Sequence, residues 1–195
     1  MKIQLVKEFM VPLEEYATVS EHATLIEAVK ALEKAQKRFD TARYPHRAVL
    51  VLNKEGHLVG KLSQHDVLKA LEPNYRGVRE LDSLSRFGIS PALVESMVEQ
   101  YGLWRSPLQN LCKTAAETKV KEIMYAPEPG EYIVGSAPIT RALHYLVVGS
   151  HHSLLVTNED HEIIGVLRLT DVFALICQAI EGCEKAAAQN KGCGK

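Results

Sequence analysis

Two short segments hold the residues whose types and spacing suit ligand chemistry. In the first, Ser63 stands three residues before Asp66, and His46-Arg47 lead into the apolar run Ala48-Val49-Leu50-Val51-Leu52. In the second, Arg168 stands three residues before Asp171, with Thr170 between them, and His151-His152 lead into Ser153-Leu154-Leu155-Val156-Thr157. A strand that ends at a loop-to-helix junction presents backbone N–H groups and a positive helix end, a setting that favours an anion such as phosphate. Ser63 adds a hydroxyl donor there. Asp66 is acceptor-only when ionised, so both hydroxyls of a vicinal diol can donate to it. Phosphate donor beside sugar acceptor is what a nucleoside phosphate needs.

Arg47, near the same strand-end edge, can grip a phosphate bidentately. Ser63 and Asp66 also fit a capping box, worth about 1 kcal/mol to the helix they open. Arg168 cannot cap, yet Asp171 is still present, and that retention points to a ligand role for the aspartate. His151 and His152 offer weaker, pH-dependent donors, and Arg168 adds a charge of its own, so the two sites should differ in affinity.

The two segments are copies. His46 to Val67 and His151 to Val172 align at a constant offset without a gap, matching at His, Leu, Val, Asn, Gly, Leu, Asp and Val. An internal duplication is the simplest cause. Upstream, Val6-Lys7-Glu8-Phe9-Met10-Val11-Pro12 matches Val120-Lys121-Glu122-Ile123-Met124-Tyr125-Ala126-Pro127 at a larger offset, which places extra residues between Ala28 and His46.

The elements that must position these residues follow from periodicity. Leu25, Ala28, Val29 and Leu32 mark one face of a helix from Ala23 to about Lys37. Val49–Leu52 and Leu58–Leu62 read as strands joined through Asn53-Lys54-Glu55-Gly56, and a helix follows from Ser63 with Val67, Leu68 and Leu71 inward until Pro73. The second copy repeats the order with strands at Ile133-Val134, Leu154–Thr157 and Ile163–Leu167, and helices over 138–147 and 171–180. The fold class is α+β: two βαββα repeats packed about a pseudo-twofold axis, with an inserted helical hairpin between them.

That insert begins two helices with Ser90-Pro91 and Ser106-Pro107. One carries Leu93, Val94, Met97, Val98 and Tyr101 to a stop near Gly102; the other carries Leu108, Leu111, Cys112 and Ala115, with Trp104 at the bend. The expected organisation is repeat 1 over 1–72, a helical linker over 73–119, repeat 2 over 120–182 and a flexible tail over 183–195.

A net charge of −1 leaves no basic surplus for nucleic acid or an acidic membrane surface. No apolar stretch approaches the roughly 20 residues of a membrane span, and the N-terminus has no signal-peptide pattern, so a cytoplasmic protein is expected. Cys112, Cys177, Cys183 and Cys193 lack ligand or disulfide-scaffold spacing and read as reduced thiols. Asp160-His161-Glu162 falls in a hairpin turn and reads as solvated charge rather than a metal site. No nucleophile, base and orienting group come together by spacing, so neither a metal nor catalysis is expected.

With these motifs in place, the chain resembles the cystathionine-β-synthase (CBS) domain family, used in tandem as a Bateman module and here free-standing. The resemblance covers about residues 6–72 and 120–180 and rests on Met10 and Met124, the helices around Ala28 and Ala142, the hairpins, and the pattern Gly-x-hydrophobic-Ser/Thr-x-x-Asp. Gly60, Leu62, Ser63 and Asp66 fit that pattern fully; Gly165, Leu167 and Asp171 fit it with Arg168 in place of Ser/Thr. It implies two clefts for adenosine-containing ligands such as AMP, ADP, ATP or S-adenosylmethionine. It implies ribose contacts for Asp66 and Asp171, a phosphate contact for Ser63, a phosphate grip for His46-Arg47 similar to that of the AMP-activated kinase γ subunit, and a hydroxyl contact for Thr170. Val11 and Tyr125 fall where the family contacts the base, and Tyr125 can stack on adenine. The resemblance further implies a homodimer.

The function expected is a regulatory module that senses an adenine nucleotide, needs no other cofactor, and signals in trans to an unidentified effector protein. Its rivals are an adaptor with empty clefts that docks a partner through the helical hairpin, and a sensor of another ligand such as a metal ion.

Overall fold

The duplication reappears as a shared hydrogen-bond register. In the computed structural model, which describes residues 4–38, 46–71, 90–102 and 107–192, Leu58–Ser63 (β4) runs antiparallel to Ala48–Leu52 (β3), and the ladder shifts between Val51 and Leu52. Ile163–Arg168 (β7) runs antiparallel to Ser153–Thr157 (β6), and that ladder shifts at the equivalent place, between Val156 and Thr157. Thr18–Ser20 (β2) pairs parallel with β3, and Tyr132–Val134 (β5) pairs parallel with β6. Parallel neighbours need a crossover. Leu25–Arg38 (α1) supplies it in the first repeat and Ile139–Val148 (α6) in the second, and each hairpin then runs into a helix, Gln64–Leu71 (α2) or Leu169–Gly192 (α7).

Local chemistry starts these helices where the sequence predicts. Before α1, the Thr24 backbone N–H and hydroxyl donate to Glu27 Oε2 at 2.6 and 2.9 Å, and the Glu27 N–H donates back to the Thr24 hydroxyl at 3.3 Å. This is a reciprocal capping box. Two helices occupy the insert, Pro91–Tyr101 (α3) and Pro107–Glu117 (α4). Ser90 caps α3 by accepting from the Leu93 N–H, and Gly102 ends it in the left-handed conformation at φ 62°, where a glycine has no Cβ to clash. A short helix, Val120–Ile123 (α5), precedes the second repeat. Trp104, Ser106 and Pro73 lie outside the described residues.

The chain forms two compact units, and they do not coincide with the two sequence repeats. One comprises Met1–Tyr16, Ala35–His46 and Pro127–Lys195; the other comprises Ala17–Lys34 and Arg47–Ala126. Within the first unit, Val11–Pro12 (β1) adds an antiparallel edge to β7, giving the order β1-β7-β6-β5. Within the second, Tyr125 makes a two-way backbone pairing with Lys61 on the outer side of β4, both N···O distances 2.9 Å, beside the order β2-β3-β4. Each sheet is thus extended by the leading segment of the other repeat.

Glycine makes that extension possible. A Cβ on Gly165 would stand 2.5 Å from the Val11 carbonyl oxygen, and one on Gly60 would stand 2.7 Å from Met124 Sδ. The matched glycines are sites of close approach.

The cores lie along the central strands. Val49, Leu50 and Val51 are all buried, as are Leu154, Leu155 and Val156, so both faces of β3 and β6 are covered. Leu25, Ala28 and Leu32 bury α1, and Ala142 and Leu146 bury α6. The buried stripes are narrower than their sequence patterns. Val29 and Leu68, expected inward, are exposed, and Cys112 on α4 is exposed while Ala115 is buried. Apolar residues at the edge of each stripe stay outside. The expected flexible tail also differs, because α7 continues to Gly192. Its Glu184-Lys185-Ala186-Ala187-Ala188-Gln189 run consists of strong helix formers and holds the helix past the end of the apolar pattern.

Candidate functional site

The first-repeat residues meet at the end of the β3–β4 hairpin. Ala48 pairs with Ser63, and the Arg47 carbonyl accepts from the Gln64 N–H at 3.0 Å, which fixes Arg47 beside the first turn of α2. The Ser63 N–H and hydroxyl both donate to Asp66 Oδ2, at 2.8 and 2.6 Å, and the Asp66 N–H donates to the Ser63 hydroxyl at 3.2 Å. The capping box therefore exists, and it uses one carboxylate oxygen. The other takes no part in the cap. Both residues are half-buried, whereas Arg47 is exposed.

Tyr125 belongs to this group through β4. Its backbone partner Lys61 lies two residues before Ser63, and the Lys61 ammonium stands 5.1 Å from the ring centroid. The ring is 37% exposed. An electron-rich, solvent-facing aromatic beside a cation, an arginine at a helix start and a carboxylate can together take an aromatic base, an anion and hydroxyls.

The second-repeat residues share the backbone and differ in chemistry. The His152 carbonyl accepts from the Leu169 N–H at 3.0 Å, as Arg47 does from Gln64, so His152 is the counterpart of Arg47. His152 is exposed and Thr170 half-buried. Arg168 does not offer a spare charge. Its Nε donates to Asp171 Oδ2 at 2.6 Å and its Nη2 to Oδ1 at 2.5 Å, with the two side chains only 6% and 9% exposed. A fork-on-fork ion pair thus engages both oxygens of Asp171.

Three of the expected contact residues are buried. His46, next to Arg47 in sequence, is fully buried and meets Tyr16 edge-on with ring centroids 4.4 Å apart. Val11 is fully buried in the β1–β7 pairing. Arg168 is held in the buried ion pair with Asp171. Tyr16 was not legible as a site residue. Burial pushes its phenol up to about 12, the Arg168 charge opposing that rise and the Asp171 charge adding to it. Among the described residues, no group of three His, Cys, Asp or Glu is placed to hold a metal ion.

Two βαββα repeats, each ending in an aspartate-bearing helix start, define a tandem module. The CBS domain family model matches residues 6–73 and 120–177, and the protein belongs to the CBS domain family. No curated protein matches the chain. Solved structures match over most of their length. A CBS domain-containing protein of unknown function from Bacillus anthracis str. Ames Ancestor has a TM-score of 0.59 at 18% identity, covering 90% of this chain and 94% of that one. CBSX2, a CBS-pair protein from Arabidopsis thaliana, has a TM-score of 0.59 at 19% identity, covering 92% and 99%. CBSX2 in complex with AMP has a TM-score of 0.53 at 19% identity, covering 90% and 97%. At such identities the likeness establishes the fold.

Proposed function

We propose that the protein binds an adenine nucleotide at Arg47, Ser63, Asp66 and Tyr125 and passes the bound state to an effector protein. The observation that carries the reading is Asp66 itself, held in place through one oxygen by Ser63 with the other outside the cap. The ribose hydroxyls donate to that second oxygen, Arg47 and the start of α2 take phosphate, and Tyr125 stacks on the base. The AMP complex of a CBS-pair protein with the same fold supports the choice of ligand. Arg47 and the helix start favour AMP, ADP or ATP over S-adenosylmethionine, which brings no phosphate. Binding shifts the protein between conformations by no more than the ligand's difference in affinity for them.

Isothermal titration calorimetry with AMP, ADP and ATP tests this. Removing a hydrogen bond to a charged group costs about 1.5–3 kcal/mol, so Asp66→Ala should weaken binding by roughly 10- to 100-fold. Unchanged affinity in Asp66→Ala would sink the assignment.

The adaptor reading draws on one observation. Leu93, Val98 and Tyr101 on α3 are all exposed. If the insert is the effector's docking surface, Val98→Asp abolishes capture of that effector while AMP binding is untouched.

A further inference from the structure

The two repeats place chemically opposite residues at one structural position. Ser63 and Arg168 are each the last residue of their strand and each stands three residues before an aspartate. Ser63 engages one oxygen of Asp66 with uncharged donors. Arg168 engages both oxygens of Asp171 with a planar cation, and the pair is almost fully withdrawn from solvent. Tyr16 and His46, both buried and in ring contact, belong to the same unit, and the Tyr16 phenol senses both charges of the pair.

With both oxygens in the fork and the Asp171 side chain only 9% exposed, a sugar diol has no open approach to it unless the guanidinium moves. Neutral hydroxyl donors are weaker than the charged fork they would replace. Displacing the arginine would also break a buried ion pair, which is strongly unfavourable. The second repeat thus carries its own cationic occupant on the carboxylate that the first repeat leaves half open.

We propose that Arg168 closes the second repeat to nucleotide, so that the protein takes a single nucleotide per chain, at the first repeat. This rests on the reading given under Proposed function and deepens it. The second repeat then serves as a fixed frame, and the protein answers to one ligand concentration instead of integrating two.

Calorimetry with AMP on the full chain tests the closure. Wild type should bind one AMP per chain, Asp66→Ala should retain no second equivalent, and Arg168→Ser, which restores the Ser-x-x-Asp pattern, should gain one. Two equivalents in wild type, or one equivalent left at wild-type affinity in Asp66→Ala, overturns the inference and leaves nucleotide binding standing. A folded Arg168→Ser, checked by circular dichroism, that still binds a single AMP overturns it as well. If Arg168→Ser does not fold, the wild-type and Asp66→Ala stoichiometries decide alone. Binding by Arg168→Ser without binding by wild type upholds the closure and overturns the first-repeat site; no binding by either protein overturns both.

Discussion

Ser63 and Arg168 show how one side chain settles what a neighbouring aspartate is for. Asp66 and Asp171 are equivalent in sequence, yet one sits in a cap and the other in a buried ion pair. Removing one partner of a buried pair typically costs about 3–5 kcal/mol, because the other charge is left uncompensated. Arg168→Ala should therefore lower the unfolding free energy in urea by about that much. Replacing both partners, as in Arg168→Met with Asp171→Leu, should recover most of the loss. Tyr16 gives a second check on the same cluster. Its phenol is pushed up to about 12 by burial, while an unfolded tyrosine titrates near 10. A folded value raised above the unfolded one means that the contribution is complete below pH 10 and is lost as pH rises toward 12. Absorbance at the tyrosinate band should show Tyr16 ionising late, Tyr132 also being raised by burial and the Glu131 charge, with stability falling in the same window. The Ser63–Asp66 box was legible because it is local. The Arg168–Asp171 pair has the same three-residue spacing and was equally within reach; its signal was an arginine at a cap position, which demands a partner. Tyr16 and His46 were not legible as cluster members, since only the fold brings them together.

At the scale of elements, the conserved spacing of glycine within the two repeats has a steric cause that can be graded. The Cβ of an alanine at Gly165 would press on a backbone carbonyl of β1 at 2.5 Å, which cannot move without breaking the strand pairing. At Gly60 the first obstacle is the Met124 thioether at 2.7 Å, a flexible side chain, with the Tyr125 carbonyl further off at 3.2 Å. Overpacking of this kind costs about 1–3 kcal/mol. Gly165→Ala should sit at or above the top of that range and Gly60→Ala near its bottom, as read from urea midpoints at unchanged m-value. Equal losses at the two glycines would contradict this account. Most helices and strands were legible to within a residue or two because their apolar periods are strong and their caps local, as with Thr24–Glu27, whereas α7 runs on to Gly192 past its expected end. The exchange of leading segments was not, because β1 and Tyr125 pair with strands remote in sequence, and nothing in Val11 or Tyr125 names the partner.

At the scale of the whole molecule, the exposed apolar residues are unevenly placed. Along α7, Leu169, Phe173, Ile176 and Ile180 fall at helical spacing and are all exposed, Phe173 by 57% and Ile180 by 56%. At the end of α6, Val147 and Val148 are exposed by 69% and 70%. Scattered apolar residues need no explanation, but an apolar row along a helix marks a surface that meets something. We propose that a second copy of the chain covers it, in keeping with the homodimer that the family resemblance implies. A self-complementary interface repeats each contact twice about its axis, so one substitution acts on both sides. Phe173→Glu should convert a dimer into a monomer in sedimentation analysis, while AMP binding at Asp66 persists, because the substitution lies in the other compact unit. If Phe173→Glu leaves the sedimentation unchanged, the α7 row is not the dimer face. If wild type is itself monomeric at micromolar concentration, the row is instead left for the effector, and Phe173→Glu should then abolish effector binding.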